Sequence, residues 1–294
     1  MLGAIGTSLG FALTAVFANR AAQQLGSTLA NFYRLLLAAL LLGVWAHAAG
    51  LGVGGGAFAW FFASGLAGFG LGGVAMFQAL PRLGSSLAML LVQCGTVLVA
   101  AGVEWAWLGT RLTPAQMACV GVTLTGVTLG LLPRSRPPAT GPGWRAGLGW
   151  AVISAAGQGV GAVLSRKAFA VAAAAQLHPD PATTAYQRTL GGLLVAALAC
   201  WFARGAHGEK SHASLGEMWP WVLANALTGP VLGVTCYQWA LSTTPAGIVQ
   251  PIVATSPLVA IPLAARLEQG WPQPRYYFGA GLAVAGVAGL YLVR

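Results

Sequence analysis

Apolar runs of about 20 residues follow one another along this chain with only short breaks between them, and that pattern leaves few folds open. A membrane-spanning helix needs about 20 consecutive, mostly apolar residues. Reading the runs against their breakers predicts ten spans, roughly 2–20, 27–48, 57–80, 85–108, 113–132, 146–170, 182–203, 218–241, 245–266 and 273–293. The breaks carry turn chemistry: AAGLGVGGG after the second span, LPRLG after the third, LGTRLTP after the fourth and PRSRPPATGPGW after the fifth.

Composition agrees. Of 294 residues, 57% are hydrophobic and 7% charged, against roughly 25% charged in a soluble domain, and the mean hydropathy is +0.73. The chain reads as an all-α polytopic membrane protein, with little left over for a soluble domain. Its net charge of +10 sits mainly at helix ends and in connections, where bases meet lipid headgroups. No basic, aromatic-laced groove for a nucleic acid is visible. The N-terminal MLGAIGTSLGFALTAVFANR lacks a basic n-region and a cleavage site, and is expected to be a retained first span. Cys94, Cys119, Cys200 and Cys236 lie singly in apolar runs and read as small buried fillers. His207, Glu209 and His212 of HGEKSH read as a solvated connection, so neither metal nor cofactor is expected.

Five spans on each side of PRSRPPATGPGW point to a duplication, with repeats over 1–132 and 146–294 and a linker over 133–145. Gln78 and Gln238 each follow an aromatic residue, Phe77 or Tyr237, and lead into an Ala-Leu pair and a polar turn. CVGVTLTGVTLGLL in the fifth span answers GAGLAVAGVAGLYL in the tenth, and Arg34 and Arg188 fall alike in the second and seventh. Because each repeat has an odd number of spans, the two enter the membrane in opposite directions. Inverted repeats are characteristic of secondary transporters, in which two like halves provide two nearly equal states around a central site.

These residues resemble the drug/metabolite transporter superfamily, specifically its ten-helix EamA-type members. The likeness covers nearly the whole chain. It is carried by Arg34 and Arg188, by the close of the third helix of each repeat, and by the small-residue fourth helix with Pro257. LGTRLTPAQ looks like the family's Leu-Gly-Glu-Arg-Leu-Thr turn with Thr110 in place of the acid, and Glu268 in the second repeat is displaced by about two positions. The resemblance implies a cavity lined mainly by helices 1, 3, 4, 6, 8 and 9, a bacterial inner-membrane location, and export or exchange of amino acids and related metabolites. It fixes transport better than cargo.

Polar side chains at membrane depth face a partner or a water-filled cavity. Gln78, Gln93, Gln158 and Gln238 are the strongest candidates for binding a small-molecule substrate, since two hydrogen-bonding ends are hard to satisfy locally. Tyr237 joins them as a polar substrate-binding candidate, and Trp60, Phe61, Phe62 and Trp239 are candidates to flank the substrate's apolar part. Thr14, Gln250 and several other Ser and Thr residues form a wider set, for which bonding back to the helix is the plainer role. Gly157 and Gly159 of GQGVG offer close packing or a hinge, and Pro251 and Pro257 a kinked, partly unwound ninth span. The resemblance includes small four-helix relatives that extrude cationic drugs with a glutamate in their first helix; the first span here has no acid, which argues against cationic-drug antiport. Walker, HExxH and GxSxG motifs are absent, so enzyme activity has no visible machinery.

Arg34 lies about two turns into its span, roughly 10 Å at 1.5 Å per residue, within snorkelling reach of an interface. With inverted halves, Arg34 and Arg188 are expected near opposite faces, as matched structural pins rather than a shared binding site. The other basic residues divide between two faces. Arg20, Arg82, Arg134, Arg136, Arg145, Arg204, Lys210, Arg266 and Arg275 share the linker face; Arg111, Arg166, Lys167 and Arg294 share the face of the termini. The positive-inside rule puts the linker in the cytoplasm; the resemblance implies cytoplasmic termini. The expectation is a monomeric or weakly dimeric transporter of a small polar or zwitterionic metabolite, most simply an amino acid. Its rivals are a sugar or nucleotide-linked cargo and a non-transporting membrane partner protein.

Overall fold

The computed structural model describes residues 1–132, 143–204, 215–268 and 273–293. PRSRPPATGP, which makes up most of the expected linker, and HGEKSH lie outside the described residues. Ten helical spans follow in the expected order: α1 (Leu2–Leu25), α2 (Ser27–Ala49), α3 (Phe58–Leu83), α4 (Ser85–Leu108), α5 (Pro114–Leu131), α6 (Trp144–Ala174) and α7 (Pro181–Arg204). Leu215–Ala226, Leu227–Gly233 and Val234–Thr243 run on as α8, Ala246–Val253 and Ser256–Glu268 form α9, and Pro274–Leu292 is α10. Seven described helices are long and apolar enough to cross a membrane. α7 falls short because it carries Thr183, Thr184, Gln187, Arg188 and Thr189, and the structure turns all five inward and buries them.

Local chemistry sets the corners. Single glycines with positive φ, Gly26 and Gly84, separate α1 from α2 and α3 from α4, a conformation that only glycine adopts at little cost. α5 begins with a full capping box: Thr113 Oγ1 accepts from the Gln116 amide at 3.2 Å, and Gln116 Oε1 accepts from the Thr113 amide at 3.0 Å.

Packing reveals the symmetry. α3 packs on α6 and α8 on α1; α3 on α7 and α8 on α2; α4 on α6 and α9 on α1. Meanwhile α2 meets α7, α4 meets α9 and α5 meets α10. These pairs map onto one another when each helix is exchanged for the one five places on, whereas the α1–α2 and α7–α8 contacts have no such counterpart of similar extent. The protein is therefore an all-α membrane protein of ten spans in two inverted five-helix repeats. Both third helices, α3 and α8, widen into π-helical turns, at Leu66–Leu71 and Leu227–Gly233. In α8 the turn contains Pro230, which has no amide to donate. In α3 it follows Gly65, where a Cβ would run into the carbonyl oxygen of Arg188 on α7.

Asp180 fastens the start of α7. Its Oδ1 accepts from the amides of Ala182 and Thr183, both at 3.0 Å, and from Trp45 Nε1 of α2 at 3.1 Å; Oδ2 accepts from Thr183 Oγ1 at 2.5 Å. Partial burial opposes ionisation of this carboxyl, but the bonds from Thr183, Trp45 and Ala182 outweigh it and hold it below its usual value. The contribution of a carboxyl so depressed is fully present above its unfolded value and is lost as pH falls through its folded one. Asp180→Ala is expected to cost about 1 kcal/mol of stability at pH 7 and less below pH ~3.5, as read by thermal unfolding in detergent at both pH values. An equal loss at both would remove the charge from this account.

Candidate functional site

Between the repeats lies a cavity of about 220 Å³. Eight of the ten helices line it: Phe11 and Thr14 of α1, Asn31 and Arg34 of α2, Gly68, Phe69, Gly73, Met76 and Phe77 of α3, Gln93 of α4, Gln158 of α6, Arg188 of α7, Val234 and Tyr237 of α8, and Gln250 and Val253 of α9. A second hollow of about 240 Å³ shares Asn31, Phe69 and Phe77 and continues to Ser27, Thr28 and Gln78, toward the linker face.

Two guanidinium groups dominate the cavity. Arg188 is 4% exposed. Its Nη1 donates to Ser64 Oγ, to Ser165 Oγ at 3.0 Å and to the Gly161 carbonyl at 3.1 Å, so that α3 and α6 hold it from behind. Its carbon stands 5.1 Å from the Phe69 ring centroid and 5.2 Å from that of Tyr237, both within cation–π range. Arg34 Nη2 donates to Asn31 Oδ1 at 2.6 Å. In both arginines Nε is buried and has no hydrogen-bond partner among the described residues. Around them, Gln250 Nε2 donates to the Tyr237 hydroxyl at 2.6 Å, Gln158 Nε2 to Ser154 Oγ at 3.1 Å and Gln93 Nε2 to Ser256 Oγ at 3.5 Å.

The two ends of the bundle differ. Toward the termini one apolar cluster joins Met1, Ala4 of α1, Ala100 of α4, Val163 of α6, Leu241 of α8, Val249 and Ile252 of α9 and Leu290 of α10. Toward the linker the clusters are separate, Ala79, Leu83, Val92 and Ala151 in one and Ala21, Leu25, Ala30 and Val222 in another. An ion pair reinforces the closed end. Glu104 of α4, 2% exposed, accepts from Arg166 Nε at 3.2 Å and from the Gly247 amide at 3.0 Å. Arg166 Nη1 in turn donates to the Leu241 carbonyl at 2.6 Å. The acid thus meets the N-terminal turn of α9 and the base the last turn of α8, where helix ends leave unpaired groups of matching sign. The cavity is closed toward the termini and leads toward the linker face.

A sequence profile of the EamA-like transporter family matches residues 1–132 and again residues 145–292. The chain belongs to the EamA-like transporter family. A crystal structure of another protein, 21% identical, aligns with a TM-score of 0.71 over 98% of this chain and 97% of that one, a likeness of fold. A comparison with curated proteins finds no match. This EamA-like protein is thus an integral membrane transporter of the drug/metabolite superfamily.

Of the residues singled out from the sequence, Gln93, Gln158 and Tyr237 line the cavity of this EamA-like transporter. Gln238 does not. It is fully buried and ties α8 to the Thr184 carbonyl of α7 at 3.4 Å. Trp239 is 47% exposed on the outer surface, because three consecutive helical residues, each turned about 100° from the last, cannot all face one cavity. Gln78 lines the linker-side hollow and accepts from Arg82 Nη1 at 2.8 Å. Trp60 packs on Trp107, with ring centroids 5.9 Å apart.

Arg34 and Arg188 require the largest correction: they share one cavity instead of lying near opposite faces. Each stands seven residues after the first residue of its helix, Ser27 or Pro181, hence about 10 Å deep. In a hydrocarbon layer of about 30 Å, two such levels counted from opposite faces are about 10 Å apart, and side chains reaching inward close that gap. Gly157 and Gly159 lie in an unbroken α6 where α3 and α4 come close; a Cβ would sit 2.7 Å from the Ala67 carbonyl or from Val99 Cγ1. α9 is interrupted between Val253 and Ser256, just before Pro257 and after Pro251. Asn31, Phe69, Ser64 and Ser165 were not singled out, and the small polar residues inside glycine-bearing stretches were the available signal.

Glu104→Gln keeps the shape of the acid and removes its charge from Arg166. It is expected to weaken the terminus-side closure by about 3 kcal/mol, read as earlier thermal unfolding and as labelling of a cysteine at Ala100 by an impermeant thiol reagent from the terminus face. Unchanged unfolding and labelling would show that the ion pair does not hold this end.

Proposed function

We propose that this transporter carries a small, carboxylate-bearing metabolite of amino-acid size by alternating access, as an exporter or facilitated exchanger of a bacterial inner membrane. The single observation behind the cargo is the cavity itself: about 220 Å³, below the roughly 300–1,000 Å³ of sites for drug-sized ligands, with both guanidinium groups and three glutamines on its wall. A nucleotide-linked sugar is too large for it. A protein that merely glued helices together would have no use for polar groups around open space. In this reading Arg34 and Arg188 hold the carboxylate end, Gln93, Gln158, Gln250 and Tyr237 supply neutral hydrogen bonds, and Phe11 and Phe77 cover the apolar part. The repeats then rock about the site, breaking the Glu104–Arg166 closure while the linker-side hollow closes. One chain encloses the whole site, so a monomer suffices.

The test is counterflow in liposomes across a panel of amino acids and organic acids. Uptake of at least one member is expected, and none by correctly inserted protein would count against transport of this class. Gln158→Leu is expected to reduce uptake at least tenfold, a loss of about 1.4 kcal/mol in binding, while Gln78→Leu leaves it near wild type. The reverse pattern would move the site into the linker-side hollow.

A further inference from the structure

The charges on the cavity wall do not cancel. Arg34 and Arg188 both face it, and the two acids whose side chains are described are engaged elsewhere, Glu104 with Arg166 and Asp180 with Trp45 and Thr183. Neutral dipoles hold only part of each guanidinium. Arg188 is gripped through Nη1, while its Nε has no partner among the described residues and its Nη2 lies beside Gly68, where a Cβ would come within 2.5 Å of it. Arg34 donates to Asn31, and its Nε is likewise unpartnered. The nearby amides are neutral and cannot balance either charge: Gln250, Gln158 and Gln93 donate through Nε2 to Tyr237, Ser154 and Ser256. An unpaired charge at this depth is expensive, and a guanidinium fork is shaped to bind a carboxylate or phosphate.

We propose that the cargo is a small organic dianion, one acid group for each guanidinium, in place of the small polar or zwitterionic metabolite expected from the sequence. This rests on the transport reading above and narrows its substrate class. The two arginines come from different helices and have different supports, Asn31 for one and Ser64 with Ser165 for the other. That arrangement suits two separated carboxylates better than one compact phosphate. Zwitterions and cations are disfavoured on the same ground, since no described carboxylate lines the cavity to receive an ammonium group.

Binding and transport are measured separately on the full-length protein. In detergent, thermal shift and competition use succinate as the dicarboxylate probe, with a phosphate monoester, leucine, a diamine and chloride alongside. Succinate is expected to stabilise the protein, and Arg34→Gln to weaken that binding at least tenfold while the unliganded protein unfolds as before. Gly68→Ala, which displaces Arg188 Nη2 without removing the charge, is expected to weaken it as well, should an Arg188 variant fail to fold. Leucine or diamine binding without succinate binding would overturn the proposal, as would binding of chloride alone, tighter binding of the monoester, or succinate binding indifferent to Arg34→Gln. Counterflow in liposomes separates the two claims. Movement of leucine but not succinate would sink the dianion and keep the transporter; succinate binding without counterflow of any panel member would keep the anion site and sink the transport reading.

Discussion

Placing an arginine deep in a spanning helix costs roughly 3 kcal/mol, and this protein does so twice around one cavity. Much of the surrounding architecture serves that arrangement. Ser64, Ser165 and the Gly161 carbonyl hold Arg188 from two helices, and Phe69 and Tyr237 flank its carbon. The close contact of α3 with α7 that brings these groups together depends on Gly65, where no side chain fits against the Arg188 carbonyl. Both guanidinium-bearing residues line the cavity.

The inverted repeat explains how both charges reach the same place. Equal depth from opposite faces is ordinarily a recipe for separation, but at about 10 Å in a layer of about 30 Å it brings the side chains together at the centre. The same inversion makes the two ends of the bundle potentially equivalent, and the structure distinguishes them by contacts that do not repeat. Glu104 and Arg166 lock α4 and α6 to the ends of α8 and α9 on the terminus side, and the interruption of α9 before Pro257 lies next to the cavity residues Gln250 and Val253. In the transport cycle proposed above, this closure of one ion pair and an apolar cluster is the element that opens.

The ten spans, their inversion and the break in α9 were legible in the sequence, because hydropathy, parity and proline act locally. The site was legible only in part. Gln93, Gln158 and Tyr237 emerged as polar residues inside apolar runs, but rotation about a helix is not readable from a run that is apolar all round, so Gln238 and Trp239 were grouped with Tyr237 although they face elsewhere. Arg34 and Arg188 were visible as anomalies. Their direction, inward to a shared cavity and not outward to the headgroups, depended on Ser64, Ser165 and Asn31, partners distant in sequence or unremarkable in composition.

Convergence of the two arginine positions can be measured directly. With Cys94, Cys119, Cys200 and Cys236 replaced, Arg34→Cys and Arg188→Cys are introduced singly and treated with a membrane-impermeant thiol reagent, applied to one face of sealed vesicles at a time. In the state described, both positions are expected to react from the linker face, through the hollow that meets the cavity at Asn31, Phe69 and Phe77. Labelling of one position from the linker face and of the other from the terminus face would contradict a shared cavity and restore the two arginines to opposite sides of the membrane.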